Sequence, residues 1–197
     1  MKELIIATHN THKAQEIAAI LPPDCRIRTL ADFPDMPEIE ETGRSFAANA
    51  AQKALALSEH VEEWVLADDS GLCVDALGGS PGILSARYAG THGNDAANNR
   101  KLLAELAALP GLAPYSARFV CAMCLAKGGQ VQAEFLGELP GQITLHPRGT
   151  QGFGYDPLFI PTGYTCTLAE LPAEEKNTIS HRARALQQLN DWWRKQG

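Results

Sequence analysis

Two periods of hydrophobic and polar residues take turns along this chain. Residues 3–8, "ELIIAT", form a short apolar run of strand type; Ala14, Ile17, Ala18 and Leu21 then recur at helical spacing until Pro22 ends the pattern. The opening is therefore strand, polar turn, helix. "CRIRTL" at 25–30 alternates as a second strand, a Pro-rich acidic loop covers 32–43, and 45–60 is an Ala-rich helix. "WVLAD" at 64–68 reads as a buried strand that ends at a pair of acids, with "LCVDAL" following it. A Gly/Pro-rich loop over 78–90 leads to a third helix at 94–109, with Asn94 as its cap. "SARFVCAMCLAK" and "QVQAEFLGEL" are long strand-type runs separated only by "GG" at 128–129, a hairpin signal. "GQITLHP" adds a further strand, and "GTQGFGYDPLFIP" is a glycine-rich loop that leads into a short one. The last segment puts Ile179, Ala183, Leu186, Leu189 and Trp193 on the face of one helix. Strands and helices that alternate around a hairpin predict an α/β fold with a mixed β-sheet flanked by helices. The whole chain, 1–197, is expected to be one domain, with the hairpin region forming a second lobe.

Composition narrows the function classes. Of 197 residues, 45% are hydrophobic and 20% charged, an ordinary globular balance. No apolar run approaches the ~18 residues of a membrane span, and the N-terminus lacks a signal-peptide pattern. A cytoplasmic location is expected. The formal net charge of −6 argues against a nucleic-acid surface and leaves room for a small anionic ligand held by a few local cations. "CAMC" at 121–124 has C-x-x-C spacing, but in a strand i and i+3 point to opposite faces, so these are expected to be buried thiols.

Candidate chemistry lies in four segments. In "THNTHK" at 8–13, a strand-to-helix turn offers the amides of a helix N-terminus with Thr8, Asn10, Thr11 and Lys13, a plausible triphosphate cradle without P-loop glycines. His9 and His12 are too weakly patterned for a metal pair. "EIEETG" supplies Glu38, Glu40 and Glu41, and "ADDSG" supplies Asp68 and Asp69, the oxygen ligands that a hard divalent cation takes. "GFGYDP" carries Phe153, Tyr155 and Asp156, with an aromatic ring able to stack on a base. "EKNTISHR" carries Lys176, His181 and Arg182 at a helix start, where cations oppose the macrodipole. Taken singly, these are ordinary features: a polar cap, a solvated acidic loop, core aromatics.

As an ordered set they are specific. "ATHNTHK", "EETGRSFAANAAQKA", "ADDSGLCVDALGGSPGILSARYAG", "GTQGFGYDPLF" and "EKNTISHRARAL" closely resemble the HAM1/RdgB-like inosine triphosphate pyrophosphatase family. The resemblance spans residues 7 to 186. His9 departs from it, standing where glycine is common, which implies a tighter first turn. The resemblance implies two lobes with an active-site cleft between them, a homodimer, and Mg²⁺-dependent hydrolysis of ITP, dITP and XTP to the monophosphate and pyrophosphate. It makes Asp69 the general base, Glu41 the first choice of metal ligand and Glu40 the second, with Asp69 also touching the metal. Thr8, His9, Asn10, Thr11, His12, Lys13, Lys53 and Ser70 are then expected at the phosphates. Phe153, Gly154, Tyr155, Asp156, Lys176, His181 and Arg182 are expected at the base, with Arg182 donating to O6. A Maf-like nucleotide pyrophosphatase and a nucleotide-binding module without hydrolysis are the alternatives. Trp64, Trp192, Trp193 and the long hairpin supply the apolar surface expected of a homodimer.

Overall fold

The computed structural model describes residues 2–23, 25–33, 36, 39–111 and 114–196; Glu38 of the acidic loop lies outside them. Among the described residues six strands and five α-helices, with short 3₁₀ turns, follow one another as β1 (Lys2–Ile6), α1 (Thr11–Ile20), β2 (Cys25–Thr29), α2 (Phe46–Ser58), β3 (Trp64–Val74), α3 (Asp95–Ala107), β4 (Tyr115–Lys127), β5 (Gln130–Ile143), β6 (Phe159–Pro161), α4 (Ala173–Ile179) and α5 (His181–Gln196). The sheet order is β2-β1-β3-β4-β5-β6. β1 runs parallel to β2 and to β3, whereas β5 and β6 are antiparallel, so the α/β architecture with a mixed sheet is the one expected. Gly128 and Gly129 join β4 to β5 with φ of +57° and +70°, the left-handed pair that a two-residue hairpin turn needs. Among the described residues no helix is long and apolar enough to cross a membrane.

The chain forms two compact units. Unit 1 comprises Met1–Asp69, Cys121–Gly137 and Arg182–Gly197, and unit 2 comprises Ser70–Val120 and Glu138–His181. In unit 1, β1, β3 and β4 are buried on both faces, and residue parity decides which core each side chain joins. Leu4, Ile6, Leu66, Cys121, Met123 and Leu125 pack with Ile17 of α1 and with Leu186, Leu189 and Trp193 of α5. Ile5, Ala7, Val65, Ala67, Cys124 and Ala126 pack with Ala50, Ala54 and Leu57 of α2. Unit 2 has its own core around Leu72, Leu102, Leu106, Phe119, Leu139, Tyr155 and Phe159.

Four sequence expectations change. β3 does not stop at the acids; it continues unbroken to Val74. It lies between β1 and β4 in the sheet, and Gly71 lets the 82–85 segment come close, since a Cβ there would stand 2.3 Å from Ser85 Oγ. "GQITLHP" contributes no separate strand, because β5 simply extends through it to Ile143. The final helix is two, broken where Ser180 takes an extended ψ of 159°. Ile179 therefore packs in unit 2, while Leu186, Leu189 and Trp193 belong to unit 1. Lastly, the tryptophans are largely used internally: Trp193 is buried, and Trp64 meets Trp192 edge-on with ring centroids 5.9 Å apart.

Candidate active site

Strand alternation resolves the paired acids. Asp68 has the parity of Leu66 and faces α1 and α5, whereas Asp69 has the parity of Ala67 and faces α2. Each carboxylate therefore meets a different set of partners.

Asp68 is fully enclosed. Lys13 Nζ lies 2.5 Å from its Oδ1, Arg182 Nε and Nη2 each lie 3.2 Å from its Oδ2, and the Cys121 thiol donates to Oδ2 at 3.0 Å. Burial alone would raise its pKa, but the Arg182 guanidinium and the Lys13 ammonium hold it well below the usual carboxylate range. The remaining Arg182 nitrogen, Nη1, donates to Glu16 Oε2. Sequence reasoning missed Glu16; its i,i+3 relation to Lys13 on α1 was the available signal. Cys121 and Cys124 lie on opposite faces of β4 and both are buried, as expected. Burial and the neighbouring Asp68 push the Cys121 thiol up, and burial and Glu134 push Cys124 up to about 12, so neither is a reactive thiolate.

Asp69 is in a different state. Asn49 Nδ2 donates to its Oδ2 at 2.9 Å, and Lys53 Nζ stands 3.7 Å from its Oδ1. The same ammonium donates to Glu41 Oε1 at 2.7 Å and to the Asp68 carbonyl at 2.7 Å. Burial raises the Asp69 pKa and Glu41 adds to the rise; Lys53, Lys13 and Asn49 oppose it, and a net upward shift remains. Asn49 was also missed. It is fully buried, and its Oδ1 accepts from the Gly43 amide at 2.8 Å, tying the acidic loop to α2. A polar residue one helical turn before Lys53, on the face that packs against the sheet, was the clue.

The α1 turn is a side-chain-capped helix start. Asn10 caps the helix, its Oδ1 accepting from the amides of His12 and Lys13 at 3.0 and 3.1 Å, and Thr8 Oγ1 accepts from the Asn10 amide at 3.1 Å. His9, Thr11 and His12 are exposed. Among the described residues no three His, Cys, Asp or Glu side chains form a ready-made metal cage. Glu41 and Asp69 nonetheless converge on one cationic centre, the Lys53 ammonium. Two carboxylates of this kind, completed by phosphate oxygens and water, suit Mg²⁺. Glu40 is exposed, whereas Glu41 is half-buried.

The base-side candidates gather in unit 2, except Arg182. Asp156 is buried; its Oδ2 accepts from the Phe153 amide at 2.9 Å and from Lys176 Nζ at 2.5 Å. Lys176 also lies over the Phe153 ring, 4.9 Å from the centroid. The Tyr155 hydroxyl donates to the Ser85 carbonyl at 2.8 Å, so Tyr155 anchors the loop. His181 stacks on Phe119 with centroids 4.9 Å apart and planes 12° from parallel. Ser70 is half-buried on β3. Arg182 belongs to unit 1, and Asp68 and Glu16 meet all three of its guanidinium nitrogens.

Residues 4–192 match the Ham1 family. A dITP/XTP pyrophosphatase of Geobacillus kaustophilus is 50% identical over 194 residues, 98% of this chain and 95% of that protein. Its counterpart in Geobacter sulfurreducens is 50% identical over 192 residues, 97% of this chain and 96% of that one. The solved HAM1 protein of Coxiella burnetii superposes with a TM-score of 0.89 at 37% identity, covering 99% of this chain and 100% of that one.

Proposed function

The chain belongs to the Ham1 family, and from that premise we propose that it hydrolyses dITP, XTP and ITP to the nucleoside monophosphate and pyrophosphate. The observation that carries the reading is Asp69, a buried carboxylate with a raised pKa that shares the Lys53 ammonium with Glu41. In this reading Asp69 takes a proton from the water that attacks the α-phosphorus, and the bond to the pyrophosphate oxygen breaks. Lys13, Lys53 and the amides at the start of α1 offset the charge of the triphosphate. Glu41 and Asp69 would hold Mg²⁺, with Glu40 the second choice of ligand, and the ion would neutralise charge on the phosphate oxygens. Phe153 stacks on the purine, and Lys176 and His181 address its polar edge. Arg182 serves as the buried counter-charge of Asp68.

The test is a panel of ITP, dITP, XTP, GTP and ATP, with monophosphate and pyrophosphate followed separately. The non-standard purines should be turned over fastest, in one step to the monophosphate. EDTA should abolish activity and Mg²⁺ restore it. Glu41→Gln should raise the Mg²⁺ concentration for half-activity more than Glu40→Gln does. Release of inorganic phosphate in place of pyrophosphate would exclude the reading.

We read the protein as a cytoplasmic homodimer, and the support for dimerisation rests on β5, where Val131 and Leu136 are exposed. Sedimentation at micromolar concentration should give one species near twice the 21.2 kDa chain mass. A species at the chain mass itself would contradict it.

A further inference from the structure

We infer that Asp95 and Asn99, on one face of α3, are positioning residues that clamp Gly154 and so set the shape of the loop that receives the purine. The inference rests on the reading of residues 152–156 as the base-binding loop.

Both polar groups of Gly154 are held by one helix. Its amide donates to Asp95 Oδ2 at 2.7 Å, and its carbonyl accepts from Asn99 Nδ2 at 3.0 Å. Asp95 and Asn99 are four apart in sequence, so they share a face of α3. Loop amides and carbonyls ordinarily bond to water; here two side chains far away in the sequence take that place. Gly154 has φ +63°, yet a Cβ built on it would meet no atom within 4 Å. A side chain there would have room but would strain the left-handed backbone, whose amide and carbonyl are both bonded by α3.

The clamp sits between the residues that matter. Phe153 precedes Gly154, its ring lying under Lys176, and Tyr155 follows, tied to the Ser85 carbonyl. Rotation of the Gly154 peptide would swing the Phe153 ring relative to the fixed Tyr155. The support is itself rigid. Asn98 is buried, its Oδ1 accepting from the Ala89 amide at 2.8 Å and its Nδ2 reaching the Ala86 carbonyl at 3.3 Å. Leu102 and Leu106 anchor the rest of α3 in the core. Asn99 Oδ1 is buried without a hydrogen-bond partner. An unpaired buried oxygen weakens the fold, so an apolar side chain would serve stability better, and the contribution of the amide is its bond to Gly154.

The experiment measures kcat and KM for dITP, XTP and ATP in wild type, Asn99→Ala, Asp95→Ala, Asp95→Asn and Phe153→Ala, with a thermal melt of each. Loss of one hydrogen bond from the clamp should raise KM for dITP and XTP roughly 5- to 10-fold. The value of kcat should stay within about twofold, because the carboxylates that act on water are untouched. ATP, which gains little from the loop, should change less, so discrimination narrows. Asp95→Asn keeps an oxygen for the Gly154 amide and should restore most of the wild-type KM. A fall in kcat at constant KM, or an equal loss on all three substrates, would overturn the clamp. So would a change in discrimination for Phe153→Ala but for neither α3 variant, and in that case the base-loop reading would stand. No change of discrimination in Phe153→Ala would remove the base-loop reading and the clamp with it. Should Asn99→Ala fail to fold, the Asp95 pair decides alone.

Discussion

Replacing Asp69 by Asn is expected to lower turnover by roughly 100-fold or more, the scale of a lost general base, with little change in KM. Asn keeps the shape of the side chain, and its carbonyl oxygen can still accept from Asn49 Nδ2, which now reaches Asp69 Oδ2 at 2.9 Å. What is lost is the carboxylate proposed to accept the proton of water. The environment of Asp69 suits that task, since burial lifts its pKa against the opposing pull of Lys53 and Lys13. A carboxylate so raised is a stronger base than a solvated one. Because its pKa is higher folded than unfolded, its ionised form works against the fold at neutral pH, and that penalty eases as pH falls through the raised pKa. Asp69→Asn should therefore melt at the wild-type temperature or above it while being nearly inactive. In wild type, activity should fall on the acid side as Asp69 takes up a proton, at a pH above that of an ordinary aspartate. Near-normal turnover in the variant would sink the assignment. Asp68 would be a poor substitute, because Arg182 and Lys13 hold it ionised and enclosed.

Replacing Arg182 by Ala is expected to destabilise the protein by about 3–5 kcal/mol, the scale for breaking one partner out of a buried ion pair. For a chain of this length that corresponds to a loss of about 6–20 °C in Tm. The guanidinium is 1% exposed, and its removal leaves Asp68 and Glu16 without it in the interior of unit 1. The effect has a pH signature. Asp68 has a depressed folded pKa, so its stabilising contribution is complete above the ordinary carboxylate value of about 3.9 and is lost as pH falls below it. The gap between wild type and Arg182→Ala should narrow over that acid range. Asp68→Asn should also destabilise, and the double variant should lose less than the sum of the two, because they share one interaction. Activity should fall on ITP, XTP and ATP alike. A selective loss on ITP with an unchanged melting temperature would instead return Arg182 to the reading of O6.

The sequence made the fold class and the family legible. The strand–turn–helix opening, the GG hairpin and the Ala-rich helix follow from local periodicity and turn chemistry, which need no tertiary partner. Asp69, Lys13, Lys53, Glu41 and the GFGYD loop all lie in segments whose spacing or resemblance marks them. Glu16, Asn49, Asp95 and Asn99 were not legible. Each is a polar residue on a helix, and the sequence does not say which distant atom it will meet.

By itself the sequence determined that two adjacent acids follow a strand-type run; once β3 continues through both, alternation of the extended backbone sends them to opposite faces. What only the tertiary structure decided is what waits on each face. α1 and α5 bring Lys13 and Arg182 to Asp68, and α2 brings Lys53 and Asn49 to Asp69. Two chemically identical side chains become an ionised counter-charge and a carboxylate with a raised pKa, because burial strengthens the effect of whatever charge stands nearby. Which charges stand nearby depends on helices that lie far apart in the sequence and meet only when the sheet is packed.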